Sequence, residues 1–345
     1  MRRTKKIMLL LVMTLMLPIP MAMAASGSSA SIVLIRDIQS GTTYDRIAVS
    51  GDGNYIAVNA YGSVGEPNIS LYETPESFTG SATAKWVIDT TASADIVIDN
   101  DGDKIVSLDR MDETITCYTK DSVTPEWEIT STGDMIRLWM SDNGEYIAYE
   151  ESDGGRSLTM VAGADKTEYW SESLTTAVED LAISNNGKLA IVEINDDLHF
   201  FNTTGEVWMN VSTDQRYDVK MTNDGNLVVV NSYADLKDFI VTFDSSGNLL
   251  ARYADIQLST IGVDVAADSD EIIGASYAND PNKVVILSGG SLSPVWDVTM
   301  DENCWFGRIS NNGKVGVVTD YGYHVSLIDC INGKKIMEHY LGEYA

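Results

Sequence analysis

The chain has 345 residues, 44% of them hydrophobic, and carries 23 Lys and Arg against 51 Asp and Glu, for a formal net charge of −28 at pH 7. This is the composition of a globular protein with a large core, and it excludes a disordered or collagen-like chain. Because a strongly acidic surface repels phosphate backbones and anionic lipid headgroups, the charge also argues against binding to nucleic acid or to a membrane surface.

The first element in chain order is a secretory signal peptide, predicted over residues 1–24. The basic stretch Arg2 to Lys6 precedes the apolar stretch Ile7 to Leu17, and Ala22-Met23-Ala24 is a small-residue cleavage pattern. We expect cleavage after Ala24, with retention as an uncleaved anchor as the alternative. No later stretch approaches the roughly 20 apolar residues of a spanning helix. The mature chain is therefore expected to have no transmembrane span and to be secreted or held at the cell surface.

After a short linker at residues 25–30, one repeated pattern predicts a single domain over residues 31–345. The pattern consists of an apolar stretch, Ser, any residue, Asp-Gly or Asn-Gly, and a second apolar stretch. Its glycines are Gly53, Gly102, Gly144, Gly187, Gly225 and Gly313, and in a seventh copy Ser269 replaces the glycine.

Each copy predicts a hairpin, because Asp-Gly and Asn-Gly accept the positive φ angles of a tight turn. Two further short strands follow each hairpin before the next copy begins. Repeats of about 40 residues built from short strands are typical of propeller blades. The sequence therefore predicts an all-β, seven-bladed β-propeller of four-stranded antiparallel blades, with almost no helix.

The innermost strand of each blade is expected to pack against the next blade. Four and six residues before the turn glycine, thirteen of the fourteen positions are bulky and apolar, and Gly307 is the exception. Residues Ser31 to Ile38 resemble an outer strand. We expect this N-terminal strand to close the ring against the last blade, either as a fifth strand or in place of the C-terminal strand.

The repeat resembles the WD40-like repeats of extracytoplasmic propellers. More closely, it is similar to the secreted archaeal and bacterial propellers of the quinoprotein (PQQ-like) superfamily, in which an outer strand of the blade carries a tryptophan. Five blades here have that tryptophan: Trp86, Trp127, Trp170, Trp208 and Trp296. The resemblance implies that these side chains dock between neighbouring blades, and it is informative about architecture but not about activity.

A first set of candidate site residues lies on the inner strands, on the face opposite the apolar one. It contains four cations and four anions: Arg46, Asp95, Arg137, Asp180, Asp218, Lys220, Asp264 and Arg308. Around a closed ring these side chains are expected near the central channel. One interpretation is a network of salt bridges between blades. The other is a site for an anionic or carboxylate ligand held by Arg46, Arg137 and Arg308.

A second set lies eight residues after the turn, at the end of each blade opposite the turn. It contains the candidate partner-binding residues Tyr61, Arg110, Tyr233, Tyr277 and Tyr321. Tyrosines on loops above a rigid frame suit recognition of a protein or a glycan. The alternative is that Tyr is a recurrent packing position of the repeat.

Other chemistry has little support in the sequence. The three histidines, His199, His324 and His339, form no zinc-binding pattern, and Asp99 to Asp103 lacks the acidic residue that would complete a calcium loop. We predict no metal and no cofactor. The three cysteines are too few for a disulfide framework, and their odd number leaves at least one free thiol.

These patterns predict a non-catalytic extracytoplasmic binding or scaffolding propeller that presents a Tyr- and Asp-rich loop face to a protein or glycan partner. The alternative is an enzyme with its active site in the channel. It would be a quinone-dependent dehydrogenase, or a hydrolase or lyase that uses carboxylates such as Asp180 and Asp218.

Overall fold

The computed structural model describes residues 43–61, 69–74, 84–90, 93–210, 214–234, 237–254, 258–276 and 282–340. These residues form seven four-stranded antiparallel sheets, each with its strands in chain order. They contain no helix, as predicted. The described residues up to Leu174 form one compact unit, and those from Thr175 form a second.

The first unit holds blades 1 to 3. Their strands are β1 Thr43–Val49, β2 Tyr55–Tyr61, β3 Ile69–Glu73 and β4 Ala84–Ile88; β5 Ser93–Ile98, β6 Ile105–Asp109, β7 Thr114–Thr119 and β8 Ser122–Thr130; β9 Asp134–Met140, β10 Tyr146–Ser152, β11 Arg156–Ala162 and β12 Glu168–Leu174.

The second unit holds blades 4 to 7. Their strands are β13 Val178–Ile183, β14 Leu189–Glu193, β15 Leu198–Asn202 and β16 Gly205–Asn210; β17 Gln215–Met221, β18 Leu227–Ala234, β19 Lys237–Asp244 and β20 Leu249–Tyr253; β21 Leu258–Val265, β22 Glu271–Ser276, β23 Lys283–Ser288 and β24 Ser293–Thr299; β25 Cys304–Ile309, β26 Val315–Asp320, β27 His324–Asp329 and β28 Lys334–Tyr340.

The last blade contains four strands, with β28 as its fourth. The predicted closing strand, Ser31 to Ile38, and the predicted signal peptide lie outside the described residues.

The repeated hairpin turn has the predicted backbone conformation. All six turn glycines have φ between 62° and 78°. In five blades a hydroxyl three residues before the glycine stabilises the turn; that of Ser50, for example, donates to Asp52 at 2.6 Å and accepts from the Tyr55 N–H at 2.9 Å. The equivalent hydroxyls are Ser141, Ser184, Thr222 and Ser310. Blade 2 has Asp99 at this position and blade 6 has Ala266.

The core consists of apolar clusters that join successive blades within each unit. One cluster contains Val219 and Val228 of blade 5 with Ala190 and Phe200 of blade 4, and similar clusters join blades 5 to 6 and 6 to 7. At the exceptional Gly307, an added Cβ would lie 3.2 Å from the Cβ of Ala275 on blade 6. The inner strand of blade 7 therefore approaches its neighbour more closely than a larger side chain would allow.

The three cysteines, Cys117, Cys304 and Cys330, are buried free thiols. Burial raises the pKa of each thiol to about 12. They therefore act as small apolar residues of the core and not as nucleophiles.

Candidate functional site

A β-bulge precedes the polar position on most inner strands. The register shifts between Tyr44 and Arg46 in blade 1 and between Ser93 and Asp95 in blade 2. It shifts again between Val178 and Asp180, between Arg216 and Asp218, and between Cys304 and Phe306. Because a bulge leaves one residue unpaired and re-aims its neighbours, it sets which side chains share the polar face.

Three of the predicted inner-strand carboxylates connect one blade to the next. Asp95 accepts the backbone N–H of Leu138 at 3.3 Å, Asp180 accepts that of Val219 at 2.9 Å, and Asp264 accepts that of Ile309 at 3.0 Å. The acceptors belong to blades 2, 4 and 6 and the donors to blades 3, 5 and 7. Each bond gives a hydrogen-bond partner to a backbone N–H on the edge of the next blade's inner strand.

The predicted cations are engaged with neighbouring groups. Arg46 Nε lies 3.7 Å from Asp95 Oδ1 and its side chain is 57% exposed. Arg137 lies opposite Glu150 in the backbone register of strands β9 and β10. The guanidinium of Arg308 lies 4.1 Å from the ring centroid of Phe306 and donates to the carbonyl of Gly307 at 3.0 Å.

Lys220 joins two carboxylates of the second unit. Its ammonium donates to Asp180 Oδ2 at 2.7 Å, to Asp218 Oδ1, and to the carbonyl of Val219 at 3.0 Å. Asp218 is buried, and its Oδ2 is also buried and makes no hydrogen bond with any of the described residues. We call Asp180, Asp218 and Lys220 the Lys220 cluster.

The three members of the Lys220 cluster titrate differently. Burial raises the pKa of Asp218; the charge of Lys220 opposes that rise, and the neighbouring carboxyl of Asp180 adds to it. Burial also disfavours ionised Asp180, but the charge of Lys220 and hydrogen bonds from its neighbours hold the pKa of Asp180 below its usual range. Burial opposes the charge of Lys220, yet the two carboxylates outweigh it and raise its pKa. One ammonium and one carboxylate therefore neutralise each other beside a carboxyl that favours its protonated form.

Asp264 is a half-buried inner-strand carboxylate outside the Lys220 cluster. Burial raises its pKa, while the charge of Arg308 and the Ile309 N–H oppose that rise. Its bond to the Ile309 backbone needs only an acceptor oxygen, which is present in both protonation states.

The second predicted set lies at the strand ends. Arg110 is exposed and donates to the carbonyl of Ile136 on blade 3 at 2.7 Å. Tyr233 is half-buried, and Tyr321 is 41% exposed. Tyr61 ends strand β2, but its side chain lies outside the described residues, as does the whole of Tyr277.

Three exposed aromatic side chains of blade 7 lie on strand β25 and on the turn between β26 and β27. The sequence analysis predicted only one of them, Tyr321, as a binding residue. Trp305 is 49% exposed, and its ring centroid lies 4.8 Å from that of Tyr321. Tyr323 is 41% exposed on the same β26–β27 turn. The register of β25 shifts between Cys304 and Phe306, and Trp305 lies at this bulge, which explains why a large aromatic side chain of an inner strand is not packed inside. We call Trp305, Tyr321 and Tyr323 the blade 7 aromatic patch.

Three of the five outer-strand tryptophans bond to the next blade, as predicted. The indole N–H groups of Trp86, Trp127 and Trp208 donate to carbonyls of the next blade at 3.1, 3.0 and 3.1 Å. The acceptors are Lys120, Gly163 and Ser245, each in the turn between the third and fourth strands. Trp296 instead lies against Gly333 of blade 7, where an added Cβ would be 2.6 Å from the indole.

One cluster of described residues has the composition of a metal site. The ligand atoms of Glu193, Asp197 and His199 all lie within 4.8 Å of one another. The sequence did not indicate this cluster, because the usual zinc-binding patterns contain two histidines. The cluster has one histidine and two carboxylates within seven residues.

Comparison with known proteins identifies the fold. No protein-family model matches the chain, and neither does any curated protein. Among solved structures, Saccharomyces cerevisiae Sqt1 superposes with a TM-score of 0.66 and 8% identity, covering 87% of this chain and 86% of Sqt1. Kluyveromyces lactis Hsv2 gives 0.61 and 10%, covering 87% and 100%. BamB from Moraxella catarrhalis gives 0.58 and 14%, covering 87% and 88%.

At these identities the similarity is one of fold. These neighbours are β-propellers. Together with the seven four-stranded antiparallel sheets, they define the chain as an all-β, seven-bladed β-propeller. Within the residues that the structure describes, no helix has the length and apolar character needed to cross a membrane.

Proposed function

We propose that this protein is a non-catalytic, extracytoplasmic binding propeller, similar to the secreted PQQ-like propellers, that holds a protein partner on its loop face. The secretory part of the proposal rests on the basic and apolar stretches of residues 1–24. The acidic net charge of −28 favours a partner with a basic contact surface. A glycan partner is the alternative and is distinguished by experiment.

The blade 7 aromatic patch carries the proposal. Trp and Tyr contribute large contact areas at low conformational cost, and both are enriched at the energetic centres of interfaces. Trp305 is 49% exposed and Tyr321 41% exposed, although a propeller blade has room to bury aromatic rings between sheets. Because Trp305 is placed by a bulge in a paired strand and not by a free loop, its ring is preorganised for contact.

The pairing of the inner-strand charges also supports a binding role. The Lys220 cluster neutralises itself through bonds from Lys220 to Asp180 and Asp218, and Asp95 and Asp264 accept amides of the next blade. Groups with these partners stabilise blade boundaries, and Lys220, which is engaged by two carboxylates, is not free to hold an anionic substrate.

One observation favours the enzymatic alternative. Burial raises the pKa of Asp218, whereas the charge of Lys220 and several hydrogen bonds outweigh burial and lower the pKa of Asp180, a separation found in sites that pair a general base with a general acid. Their shared contact with Lys220 gives an equally complete structural explanation. A hydrolase or lyase would lose activity in Asp218→Asn with its fold retained.

The proposal is tested by affinity capture with the immobilised full-length protein. Wild type is compared with Trp305→Ala/Tyr321→Ala, and Trp296→Ala, which removes another tryptophan that is 41% exposed, is the matched control. Proteins released from the native cell surface and purified surface polysaccharides are applied in separate arms.

We expect a protein that is retained by wild type and by Trp296→Ala, and retained at least ten-fold less by the patch variant. Retention of polysaccharide alone, with the same dependence on Trp305, would replace the protein partner with a glycan. Equal retention by the patch variant would overturn the proposal.

A further inference from the structure

We propose that Glu193, Asp197 and His199 of blade 4 form a binding site for a divalent transition-metal ion of the zinc class. Their ligand atoms lie within 4.8 Å of one another. Imidazole nitrogen and carboxylate oxygen are both among the ligands that bind zinc in proteins. The site is separate from the blade 7 aromatic patch and does not depend on the proposed partner.

A tight turn between β14 and β15 brings the three ligands together. Glu193 is the last residue of β14 and His199 is the second residue of β15. The Glu193 N–H donates to the Asp197 carbonyl at 3.0 Å, and the Asp196 N–H donates to the Glu193 carbonyl at 2.8 Å. Asp196 has φ of 74°, a conformation that aspartate adopts more readily than most residues.

Blade 5 holds this turn in place. The backbone N–H of Arg216 donates to Asp196 Oδ1 at 3.0 Å, and its guanidinium donates to the Asp196 carbonyl at 3.2 Å. Arg216 is buried at 6% exposure, so the clamp is part of the packed boundary between the blades. The turn is therefore preorganised before any ion binds.

The imidazole of His199 is the strongest indication of a ligand. Its Nδ1 is hydrogen-bonded to Glu206 Oε1 at 2.7 Å, while its Nε2 is buried and makes no hydrogen bond with any described residue. Nε2 lies 3.9 Å from Glu193 Oε2, too far for a hydrogen bond. Two ligands of one tetrahedral zinc ion lie about 3.3 Å apart, so a small movement of either side chain would bring both onto one ion.

The surroundings match those of a metal-binding histidine. A ligand histidine commonly bonds a carboxylate through its other nitrogen, which fixes the ring and raises its basicity, and Glu206 occupies that position here. Glu193 is 1% exposed; its Oε2 accepts the hydroxyls of Thr175 at 2.6 Å and Thr176 at 3.4 Å, and its Oε1 accepts the Thr175 N–H at 3.3 Å. An ion would add a charged partner to this buried carboxylate and would satisfy the buried ring nitrogen of His199.

Asp197 supplies the third ligand, from a side chain that is less enclosed than that of Glu193. It is half-buried, and its Oδ2 accepts the side-chain amide of Asn195 at 3.0 Å. With three protein ligands, a tetrahedral ion keeps a fourth position for water or for a group from outside the chain.

The competing explanation is a purely structural ion pair. A protonated His199 would face Glu193 and Glu206 and need no metal. The two explanations differ in whether stoichiometric metal binds and whether that binding depends on His199.

The test uses the full-length protein after treatment with a chelator. Zn²⁺ is titrated by calorimetry, with Tm measured in parallel, and Co²⁺ is added to record its visible absorption. We expect one Zn²⁺ per chain, an increase in Tm, and Co²⁺ bands of a four-coordinate site. His199→Gln should abolish binding, Asp197→Asn should weaken it at least ten-fold, and Glu206→Gln should weaken it about 10- to 100-fold.

His324→Gln is the matched control, because His324 is also half-buried and contacts a carboxylate, Asp320, at 3.1 Å. It should bind Zn²⁺ as wild type does. If His199→Gln fails to fold, Asp197→Asn on the half-buried turn still decides the outcome. No stoichiometric binding by wild type, or unchanged binding by Asp197→Asn and His199→Gln, would overturn the proposal.

Discussion

Asp264 on the inner strand of blade 6 accepts a hydrogen bond at 3.0 Å from the backbone N–H of Ile309 on blade 7. Asp180 makes the same type of bond to Val219, and Asp95 makes it to Leu138. An inner-strand carboxylate thus anchors the backbone of the following blade in three places. This assigns a structural role to acidic residues that would otherwise be candidates for catalysis.

The first prediction separates hydrogen bonding from charge at Asp264. Asp264→Asn keeps an acceptor for the Ile309 N–H and should change the free energy of unfolding by less than about 1 kcal/mol, whereas Asp264→Leu leaves a buried donor unsatisfied and should cost about 1–3 kcal/mol. Urea denaturation measures both, with Asp297→Asn on the exposed face of β24 as the control. An equal loss in the Asn and Leu variants would show that the carboxylate charge is what matters.

The second prediction concerns the Lys220 cluster. Lys220→Met removes the ammonium that lies 2.7 Å from Asp180 and leaves the buried Asp218 and the half-buried Asp180 without their cation. It should lower the free energy of unfolding by about 3 kcal/mol. Lys335→Met, which breaks an exposed pair with Asp301, should cost less than about 1 kcal/mol. Similar losses in the two variants would contradict the role given to Lys220.

The third prediction is a stabilising substitution. Asp99 lies where other blades have a turn hydroxyl, is 3% exposed, and its Oδ1 is a buried atom with no hydrogen bond to any described residue. Burial raises its pKa to about 6, and the charge of Asp101 adds to the rise. Because the folded-state pKa exceeds the unfolded value of about 3.8, this carboxyl lowers the free energy of unfolding progressively as pH rises from about 4 to 6.

Asp99→Ser removes that penalty and places a hydroxyl where it can donate to Asp101, as Ser50 does to Asp52. It should stabilise the protein by about 2 kcal/mol at pH 7 and by much less at pH 4. Thermal unfolding of both proteins across this pH range gives the comparison. A difference in Tm that does not change with pH would contradict the burial of an ionisable Asp99.

The fourth prediction tests the tryptophans between blades. Trp208→Phe loses the hydrogen bond to Ser245 but keeps a ring that can stack on Phe200, where the present centroid distance is 5.2 Å, and it should cost about 1 kcal/mol. Trp208→Ala should cost about 3–5 kcal/mol. Trp296→Ala, whose side chain is 41% exposed, should cost distinctly less. If Trp208→Ala and Trp296→Ala lowered the free energy of unfolding equally, burial between blades would not determine how much each tryptophan contributes to stability.

Much of the fold could be predicted because it repeats. Seven hairpin turns with Asp-Gly or Asn-Gly, or their degenerate form at Ser269, fix the number of blades, and alternation fixes the buried face of each inner strand. The outer-strand tryptophans were recognisable for the same reason. A signal that recurs seven times is reliable even where one copy is weak.

The candidate sites could be predicted only in part. A bulge adds one residue to a strand without a sequence signature, so the exposure of Trp305 did not follow from alternation. Which cation meets which carboxylate depends on neighbouring blades, and the contact of Lys220 with Asp180 spans 40 residues. The Glu193, Asp197 and His199 cluster depends on a turn whose conformation is set by Asp196 and by Arg216 of another blade.

The central claim is that a partner binds the loop face through Trp305 and Tyr321 while the inner-strand charges hold the blades together. Hydrogen–deuterium exchange of the protein with and without the captured partner tests it most directly. The account predicts new protection in peptides that cover residues 303–306 and 320–324, with exchange across 178–183 and 215–221 unchanged. Protection confined to those inner-strand peptides, around Asp180, Asp218 and Lys220, would contradict it.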